Sequence, residues 1–499
     1  MAGPGSLGRL IAAGWRLTRA DALIPREAEP WLPGGLRTAG RMLRVFAGAE
    51  ARRGRPGERL ARTLEREGPV AIKLGQFLST RSDIFGAEFA ADLSRLKDKL
   101  APFPDDEARA AVEAGLGRPI EAVFSSFGGA VAGASLAQAH EATLLDGRRA
   151  AVKVLRPDIE RRVARDAETL RMAAGLFNGL GPTAKRLQPR AFAEEVIKAL
   201  QRELDLRFEA AGAAELGEVM AADGYMRAPV VVWDGVARRV LTTEWAEGVA
   251  LSDPAALDQK GIDRKTVATN LIRAFLAQAL DHGVFHADLH EGNLFLSPPA
   301  ALTAVDFGIV GRLRPAERRY MAQILYGLLT RDYRRVAEIH FEAGYVPEDQ
   351  DPDAFAQALR AVGEPILGRA ARDVSMGRVL AQLFEITAMF EMRLRPELVL
   401  LQKTMATVEG VARAIDPDCD IWEAADPVVR RWVAREAGPA ARVRDLTDDI
   451  ARAIRGLARL ADAPPQPAPS ERIEDDRMTW FAIGAAIAGG AFLLVMALG

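Results

Sequence analysis

Apolar residues recur at roughly helical spacing near the start of the chain, where arginines interrupt them. They are Leu7, Leu10, Ile11, Trp15 and Leu17. This spacing predicts a short amphipathic helix that lies either on a membrane or on the protein's own core, with core packing the favoured alternative. The segment has no unbroken apolar run of the length found in signal peptides, so cleavage for secretion is not expected.

The far end of the chain has a different pattern, because every residue from Met478 to Gly499 is uncharged. A helix of this length spans roughly 30 Å, the thickness of the hydrocarbon core of a bilayer. Residues 461–477 contain four prolines and are predicted to be a linker. The sequence therefore predicts one transmembrane helix. Arg472 and Arg477 on its N-terminal side place the rest of the chain in the cytosol.

Small residues lie four apart on this predicted span, on two neighbouring faces. The pairs are Gly484 with Ala488 and Ala485 with Gly489. Such faces allow a second helix to approach closely, so the sequence is compatible with a homodimer formed through the span.

Between the two ends, short apolar segments alternate with stretches rich in helix formers. One apolar segment ends at Lys153 and another leads into Asp306, as expected for strands that present polar side chains at their ends. The stretch from Arg161 to Leu187 is rich in helix formers and is broken by glycine and proline, so we expect helical insertions there. The pattern predicts a mixture of strands and helices.

The composition excludes several classes of protein. The 499 residues are enough for roughly two to four domains. Apolar residues make up 49% and charged residues 27% of the chain, so it is not disordered as a whole. The 66 basic and 68 acidic side chains nearly balance, which argues against a nucleic-acid partner.

Cysteine and histidine usage indicates the compartment and excludes one kind of metal site. Cys419 is the single cysteine and cannot form an internal disulfide, so a reducing compartment is expected. No cysteine and histidine residues have the spacing of a structural zinc site.

The strongest chemical signal begins at His286 in the segment VFHADLHEGNLFL. Asp288 is followed by Asn293 five residues later, and Asp306 follows after thirteen more within AVDFGIVG. This order and spacing match the catalytic-loop and DFG motifs of protein kinases, except that Ala287 replaces the arginine. Phosphoryl transfer needs a carboxylate near the attacking group and oxygen ligands for Mg²⁺. We predict that Asp288 is the carboxylate near the attacking group and that Asn293 and Asp306 are the metal ligands.

Upstream, Ala150-Ala151-Val152-Lys153 resembles the kinase strand whose lysine contacts the α and β phosphates and pairs with a glutamate on a helix. Lys153 is therefore predicted to bind phosphate. Its partner should lie on the helix predicted around AFAEEVIKALQRELDLRFEAAGAAELGE, which contains Glu203, Asp205 and Glu209. Spacing by itself does not choose among these three carboxylates.

The nucleotide is expected to meet two further segments. The loop VAGASLAQAH occupies the place of the phosphate-covering glycine-rich loop, with candidate contacts at Ala132, Gly133, Ala134 and Ser135. A Cβ at the two alanines restricts approach of the backbone to phosphates, so we expect a less deeply held nucleotide, whereas an ordinary hairpin is the alternative. Glu244-Trp245 follows a short apolar segment at the position of a kinase hinge, where the backbone would meet adenine.

A second motif, Lys73-Leu74-Gly75-Gln76, identifies the chain as a member of the UbiB family of atypical kinases and ATPases. The surrounding sequence, the AGAS loop, ELD, HADLHEGN and DFG resemble this family in the family's order, over roughly Arg62 to Leu313. Proline after Gly68 is predicted to open a helix on which Lys73 and Gln76 share one face.

The resemblance also implies roles for individual residues. It implies that Lys73 and Gln76 lie over the cleft and face Glu203 and Asp205. It further implies that Glu209 is the ion-pair partner of Lys153. Gly133 stands where an alanine is common in the family, which leaves the nucleotide preference open.

From the motifs and the resemblance together we expect an α/β (α+β) protein-kinase-like fold with two lobes, an N-terminal helical extension and a C-terminal transmembrane helix. The predicted boundaries follow chain order. They are 1–60 for the N-terminal extension, 61–118 for the segment with the KxGQ motif, 119–245 for the N-lobe with its helical insertion, 246–460 for the C-lobe, 461–477 for the linker and 478–499 for the transmembrane helix.

The resemblance implies an enzyme that binds ATP and Mg²⁺ and supports ubiquinone biosynthesis at the inner (cytoplasmic) membrane, with its catalytic domain in the cytosol. Expected partners are membrane lipid or a prenylated quinone precursor, and ubiquinone biosynthetic enzymes. A scaffold that binds lipid intermediates or those enzymes, with ATP setting its conformation, is the alternative. Members have also been labelled hydroxylases. This chain has no flavin fingerprint, haem ligand or iron triad that would support oxygenase chemistry.

Overall fold

The structure, a computed structural model, forms two compact units. The first contains the described residues up to Ala210 together with Val231–Trp245, and the second contains Ala211–Val230 and the described residues from Ala246 onwards. The boundary falls inside the helix Leu206–Asp223. The described residues are 14–27, 34–67, 69–79, 87–93, 96, 101–178, 189–367, 386, 389–392 and 396–437.

Helices dominate the first unit, and the residues that begin and end them follow ordinary helix chemistry. Asp105, Asp106 and Glu107 stand in the first turn of one helix, where acidic side chains complement the helix dipole. Gly117 ends that helix with φ +68°, a left-handed conformation that glycine adopts without strain. The helices are α1 (Gly34–Leu43), α2 (Pro56–Glu67), α3 (Pro69–Ser79), α4 (Ala87–Leu93), α5 (Asp105–Leu116), α6 (Ile159–Asn178) and α7 (Pro189–Glu203). Helix α8 (Leu206–Asp223) begins in this unit and continues in the second.

The first unit also contains a four-stranded antiparallel sheet in the order β1-β2-β3-β4. Buried and partly exposed positions alternate along β2, as a sheet covered on one face requires. Helix α5 packs on the sheet, and the core between them includes Val112, Phe124, Val152 and Val240. The strands are β1 (Phe124–Gly133), β2 (Ala137–Leu144), β3 (Arg149–Leu155) and β4 (Val240–Glu244).

The second unit has a three-stranded sheet, β5-β7-β8, a two-stranded sheet, β6-β9, and further helices. The strands are β5 (Val249–Ala250), β6 (Val284–His286), β7 (Leu294–Ser297), β8 (Ala301–Ala304) and β9 (Val310–Arg312). The helices are α9 (Arg264–Leu276), which continues as a π-helix over Ala277–His282, α10 (Pro315–Leu329), α11 (Tyr333–Glu342), α12 (Pro352–Leu367), α13 (Pro396–Ile415) and α14 (Ile421–Ala437).

Two groups of buried side chains join helices in the second unit. Tyr333, Val336 and Phe355 belong to the cluster that joins α11 to α12. Trp432 on α14 is fully buried beside Leu280 of the π-helix. The second contact attaches α14 to the π-helix, which precedes β6, and β6 carries His286.

The structure describes part of the predicted N-terminal helix but none of the predicted C-terminal segments. The helical residues 14–20 include Leu17, which is fully buried, as core packing of this segment requires. Leu7, Leu10 and Ile11 lie outside the described residues. Among the residues that the structure describes, no helix has the length and apolar composition of a membrane span. The linker over 461–477 and the transmembrane helix over 478–499 lie outside the described residues, so both remain predictions.

Candidate functional site

Lys153 and Glu209 form a close ion pair in the first unit. Lys153 lies in β3, opposite Leu241 of β4, and Glu209 lies in the first turn of α8. The lysine Nζ is 2.7 Å from Oε1 and 2.9 Å from Oε2 of the glutamate. The side chains retain 23% and 11% of their exposure, so the pair is partly desolvated but still reachable. Of the three carboxylates that spacing allowed, the structure brings Glu209 to Lys153.

An interruption between two helices places Glu209 where it can form this ion pair. One helix was expected through residues 203–209, but α7 ends at Glu203 and α8 begins at Leu206. Asp205 stands in the break and accepts hydrogen bonds from the backbone N–H and the guanidinium of Arg207. The guanidinium holds the pKa of Asp205 below its ordinary value. The expectation of a single helix is therefore wrong, because these local bonds replace helical ones between α7 and α8.

Lys73 lies on α3, the helix predicted to open at Gly68-Pro69. Its Nζ is 3.1 Å from Oε2 of Glu203, and the two side chains are 16% and 21% exposed. Gln76 follows three residues later on the same helix and is half-buried. The structure thus shows an ion pair between α3 and the end of α7.

Gly75 has a steric reason to be glycine. A Cβ at this position would lie 2.2 Å from Cδ1 of Leu96 and 2.7 Å from Cδ1 of Leu64. Both leucines are buried. A larger residue would require either these leucine side chains or α3 to shift, and Lys73 stands two positions away on the same helix.

The loop expected to cover phosphates comprises the last two residues of β1 and the two that follow them. Gly133 pairs with Gln138 of β2, and the Ala134 N–H donates to the Ala137 carbonyl over 2.8 Å. No residue between 132 and 135 has a positive φ, so the loop turns in backbone conformations that alanine accepts. Ala132 is exposed, whereas Ser135 is only 1% exposed.

Glu244 and Trp245 end the sheet, at the position expected for a hinge. The Trp245 N–H donates to the Arg149 carbonyl over 3.0 Å. The Arg149 guanidinium lies 4.7 Å from the centre of the Trp245 ring. The Glu244 carboxylate accepts from the Arg148 guanidinium. These contacts anchor the end of β4 to β3 and to the turn before it.

His286, at the end of β6, holds the segment that carries Asp288 and Asp306. Its Nδ1 accepts the Asp288 N–H over 3.1 Å, and its Nε2 lies 3.1 Å from the Val305 carbonyl. The ring is fully buried, and burial lowers the pKa of His286. A neutral ring with its proton on Nε2 fits both contacts. Its place two residues before Asp288 was visible in the sequence, but this bridging role was not predicted.

Asp288 and Asn293 are joined through the backbone of the catalytic loop. The Asn293 side-chain amide donates to the Asp288 carbonyl over 3.1 Å, and the Asn293 carbonyl accepts from the Val305 N–H. The Asp288 carboxylate is 38% exposed, so it can reach a bound molecule. His290 Nε2 lies 3.7 Å from that carboxylate.

Asp306 has a positive φ of 61°. This conformation is uncommon outside glycine, and such strain concentrates at functional sites. The Gly308 N–H lies 3.3 Å from Asp306 Oδ1. The next residue, Phe307, is buried with its ring 5.1 Å from that of His286. The strained backbone therefore lies directly beside the histidine bridge.

The residues of this loop fit a magnesium ion better than an all-protein metal centre. The described residues contain no group of three or more His, Cys, Asp or Glu side chains arranged to hold a metal. Mg²⁺ usually takes one or two carboxylates and completes its shell with waters and substrate phosphates. Asp306, with the amide oxygen of Asn293, is a donor set of that kind.

Comparison with known proteins assigns the family. Residues 95–340 match the ABC1 atypical kinase-like domain, and residues 359–420 match the UbiB helical domain. A probable protein kinase UbiB of Marinobacter nauticus is 38% identical over 399 residues, which are 79% of this chain and 73% of the relative. The chain belongs to the UbiB family.

A second relative agrees with this assignment, and a solved structure shares the fold. A probable protein kinase UbiB of Xanthomonas euvesicatoria is 39% identical over 444 residues, which are 86% of this chain and 78% of the relative. The structure of an Rv3197–erythromycin complex from Mycobacterium tuberculosis superposes with a TM-score of 0.53, over 79% of this chain and 98% of that one. At 22% sequence identity the latter likeness shows the fold alone. The predicted family and the kinase-like fold are both confirmed.

The UbiB helical domain contacts the catalytic loop through Thr404 of α13. Its hydroxyl lies 3.1 Å from the carbonyl oxygen of Ala287 and 2.8 Å from that of Leu400. The Ala287 N–H donates to the Ile309 carbonyl. Thr404 and Ala287 are both buried. The residue that replaces the kinase arginine is thus held through its backbone, and no sequence motif marked Thr404.

Proposed function

We propose that this chain binds Mg-ATP and hydrolyses it slowly, or transfers its phosphoryl group, in support of ubiquinone biosynthesis. The observation that carries the proposal is the ion pair between Lys153 and Glu209. The two carboxylate oxygens hold the ammonium in one direction from β3. A lysine oriented in this way is the group that kinase-like proteins use to bind the α and β phosphates.

Metal binding and proton transfer are assigned to Asp306, Asn293 and Asp288. The first two would hold Mg²⁺, which when bound neutralises charge on the phosphates. Asp288 is exposed enough to accept a proton from an attacking hydroxyl or water. His286 keeps the Asp288 backbone in place without carrying charge itself, because its buried ring is neutral.

Phosphate release from ATP by the full-length protein in liposomes tests the proposal. The wild type should release phosphate slowly, and Asp306→Asn should not. If the wild type binds Mg-ATP but neither releases phosphate nor forms ADP, even with prenylated phenols present, the nucleotide-gated scaffold replaces the enzyme. If the wild type does not bind Mg-ATP, both functions are excluded.

We also propose that the protein resides in the inner membrane through residues 478–499, with its kinase-like domain in the cytosol. Deleting Met478 to Gly499 should release the protein from membranes, because the rest of the chain has no apolar run of about twenty residues. Fractionation after a carbonate wash measures this. A truncated protein that stays wholly with the membrane would show that another segment is the anchor.

A further inference from the structure

Arg156, the residue after β3, holds the 132–135 loop through the backbone. Its Nε and Nη2 both donate to the Ala134 carbonyl, over 3.1 and 3.0 Å. Its own N–H donates to the Leu136 carbonyl over 2.9 Å. One residue therefore fixes both arms of the turn that joins β1 to β2.

The same guanidinium reaches the segment that precedes α5. Nη1 donates to the Ala101 carbonyl over 3.0 Å, and the guanidinium carbon lies 5.8 Å from the centre of the Phe103 ring. Arg156 thus ties the loop to residues 101–103 by a charge-assisted hydrogen bond and an aromatic contact.

Residues 101–103 are themselves attached to the sheet. The Phe103 N–H donates to the Gln138 side-chain oxygen over 2.8 Å, and the Gln138 amide lies 3.2 Å from the Phe103 carbonyl. Gln138 lies in β2 and is 1% exposed, so its amide is not free to turn towards water. The two hydrogen bonds to Gln138 hold the Phe103 backbone on β2, and Phe103 thereby provides a fixed point for Arg156.

We propose that Arg156 is a positioning residue for nucleotide binding, and that it holds the 132–135 loop against the fixed point formed by Phe103 and Gln138. The inference rests on the proposed function, because it needs a nucleotide under the loop. A glycine-rich loop adapts its backbone to phosphates, whereas alanines have fewer conformations available. A loop of this kind binds well only if its position is set in advance, and the Ala134 carbonyl has two donors that set it.

Lysine cannot replace arginine in this arrangement. An ammonium has no planar fork to place two donors on Ala134, a third on Ala101 and a flat face on Phe103. We therefore expect Arg156→Lys to weaken nucleotide binding while leaving the chemical step intact. An interaction made equally in the ground and transition states changes KM and not kcat.

The experiment uses the full-length protein in phosphatidylglycerol nanodiscs and measures the Kd for Mg-ATP, kcat and the melting temperature without nucleotide. Arg156→Lys should raise Kd by about tenfold, the factor that corresponds to one lost charge-assisted hydrogen bond. Its kcat should stay within about twofold of wild type, a margin below the tenfold that 1.4 kcal/mol would give.

Arg109→Lys is the matched control. Arg109 also donates to a carbonyl, that of Phe127, and its guanidinium lies 5.7 Å from the centre of the Phe127 ring. Phe127 lies in the first half of β1 and outside the 132–135 loop, so replacement of Arg109 should leave Kd unchanged.

A second variant, Phe103→Leu, checks the fixed point without touching Arg156. It should also raise Kd, and the effects in the double variant Phe103→Leu/Arg156→Lys should be less than additive because both changes release the same contact.

The proposal is overturned by an unchanged Kd in Arg156→Lys, or by an equal rise in Arg109→Lys. A fall in kcat and melting temperature that accompanies the change in Kd would also overturn it, because that pattern indicates general damage to the fold. A wild type that does not bind Mg-ATP would overturn both this proposal and the proposed function.

Discussion

The ion pairs of the first unit and the aspartate loop of the second unit, residues 286–306, hold their functional groups by different means. Lys153 and Lys73 are each fixed by a carboxylate from the end or the start of a helix. Asp288 is fixed through its backbone, by a neutral histidine. Removing one member of an ion pair leaves a partly buried charge, whereas changing a support of the loop moves a catalytic group slightly. Stability should respond more strongly in the first case and catalysis in the second.

The largest effect is expected at Asp306. Asp306→Asn removes the carboxylate predicted to bind Mg²⁺, so ATP hydrolysis should fall by at least about a hundredfold, as for other electrostatic groups at a reacting centre. The increase in melting temperature caused by Mg-ATP should disappear as well. Asp258→Asn is the control, because its carboxylate is 78% exposed and pairs with Arg264. Unchanged stabilisation of Asp306→Asn by Mg-ATP would contradict the metal assignment.

The second prediction concerns the ion pair of Lys73. Lys73→Ala leaves Glu203 partly buried without this partner, which should cost up to about 3 kcal/mol of unfolding free energy or free the protein for self-phosphorylation. Adding Glu203→Gln should restore part of the melting temperature, since it removes the stranded charge.

Lys198→Ala, at an exposed position of α7, is the control for this cycle. Additive effects of the Lys73 and Glu203 changes, without any gain in phosphate incorporation, would show that Lys73 is an ordinary surface lysine.

The third prediction concerns support of the aspartate loop by the UbiB helical domain. Thr404→Val removes the hydroxyl beside the Ala287 carbonyl and should lower kcat by about fivefold, corresponding to roughly 1 kcal/mol. The Kd for Mg-ATP should be unchanged, and Thr404→Ser should restore kcat. If Thr404→Val and Thr404→Ser behave alike, the hydroxyl does not position the loop.

The smallest effect is a dependence of stability on pH. Burial lowers the pKa of His286 and of His340, so the unfolded chain binds protons more readily than the folded one. Their contribution to stability is present above the unfolded pKa of about 6.5 and is lost as pH falls below it. Chemical denaturation between pH 7.5 and pH 5 measures this loss, which His340→Gln should reduce. A stability that does not change over this range would contradict the neutral state of His286.

The residues to which we assign chemistry were identified from local sequence. The spacing of Asp288, Asn293 and Asp306 indicated the catalytic loop, and Lys153 followed from its strand-like context. Side-chain type and spacing carry this information because each motif lies within one loop or strand. The partner of Lys153 needed the family resemblance, since three carboxylates satisfied the spacing equally.

Helix boundaries were predictable where the sequence signal acts within a few residues. The helix that opens at Pro69 and the helical insertion after Arg161 were both predictable, because proline and helix formers act within a few residues. The break between Glu203 and Leu206 was not predictable, because bonds from Arg207 outweigh strong helix propensity around them. That break decides the direction in which Glu209 points.

The sequence by itself indicated the residues to which we assign chemistry and the family to which the chain belongs. Only the tertiary structure decided what holds them in place. Arg156 meets Ala134 from 22 positions away, and Thr404 meets Ala287 from 117 positions away. Their partners are backbone carbonyls, which every residue possesses, so no pattern of side chains along the chain could have identified them.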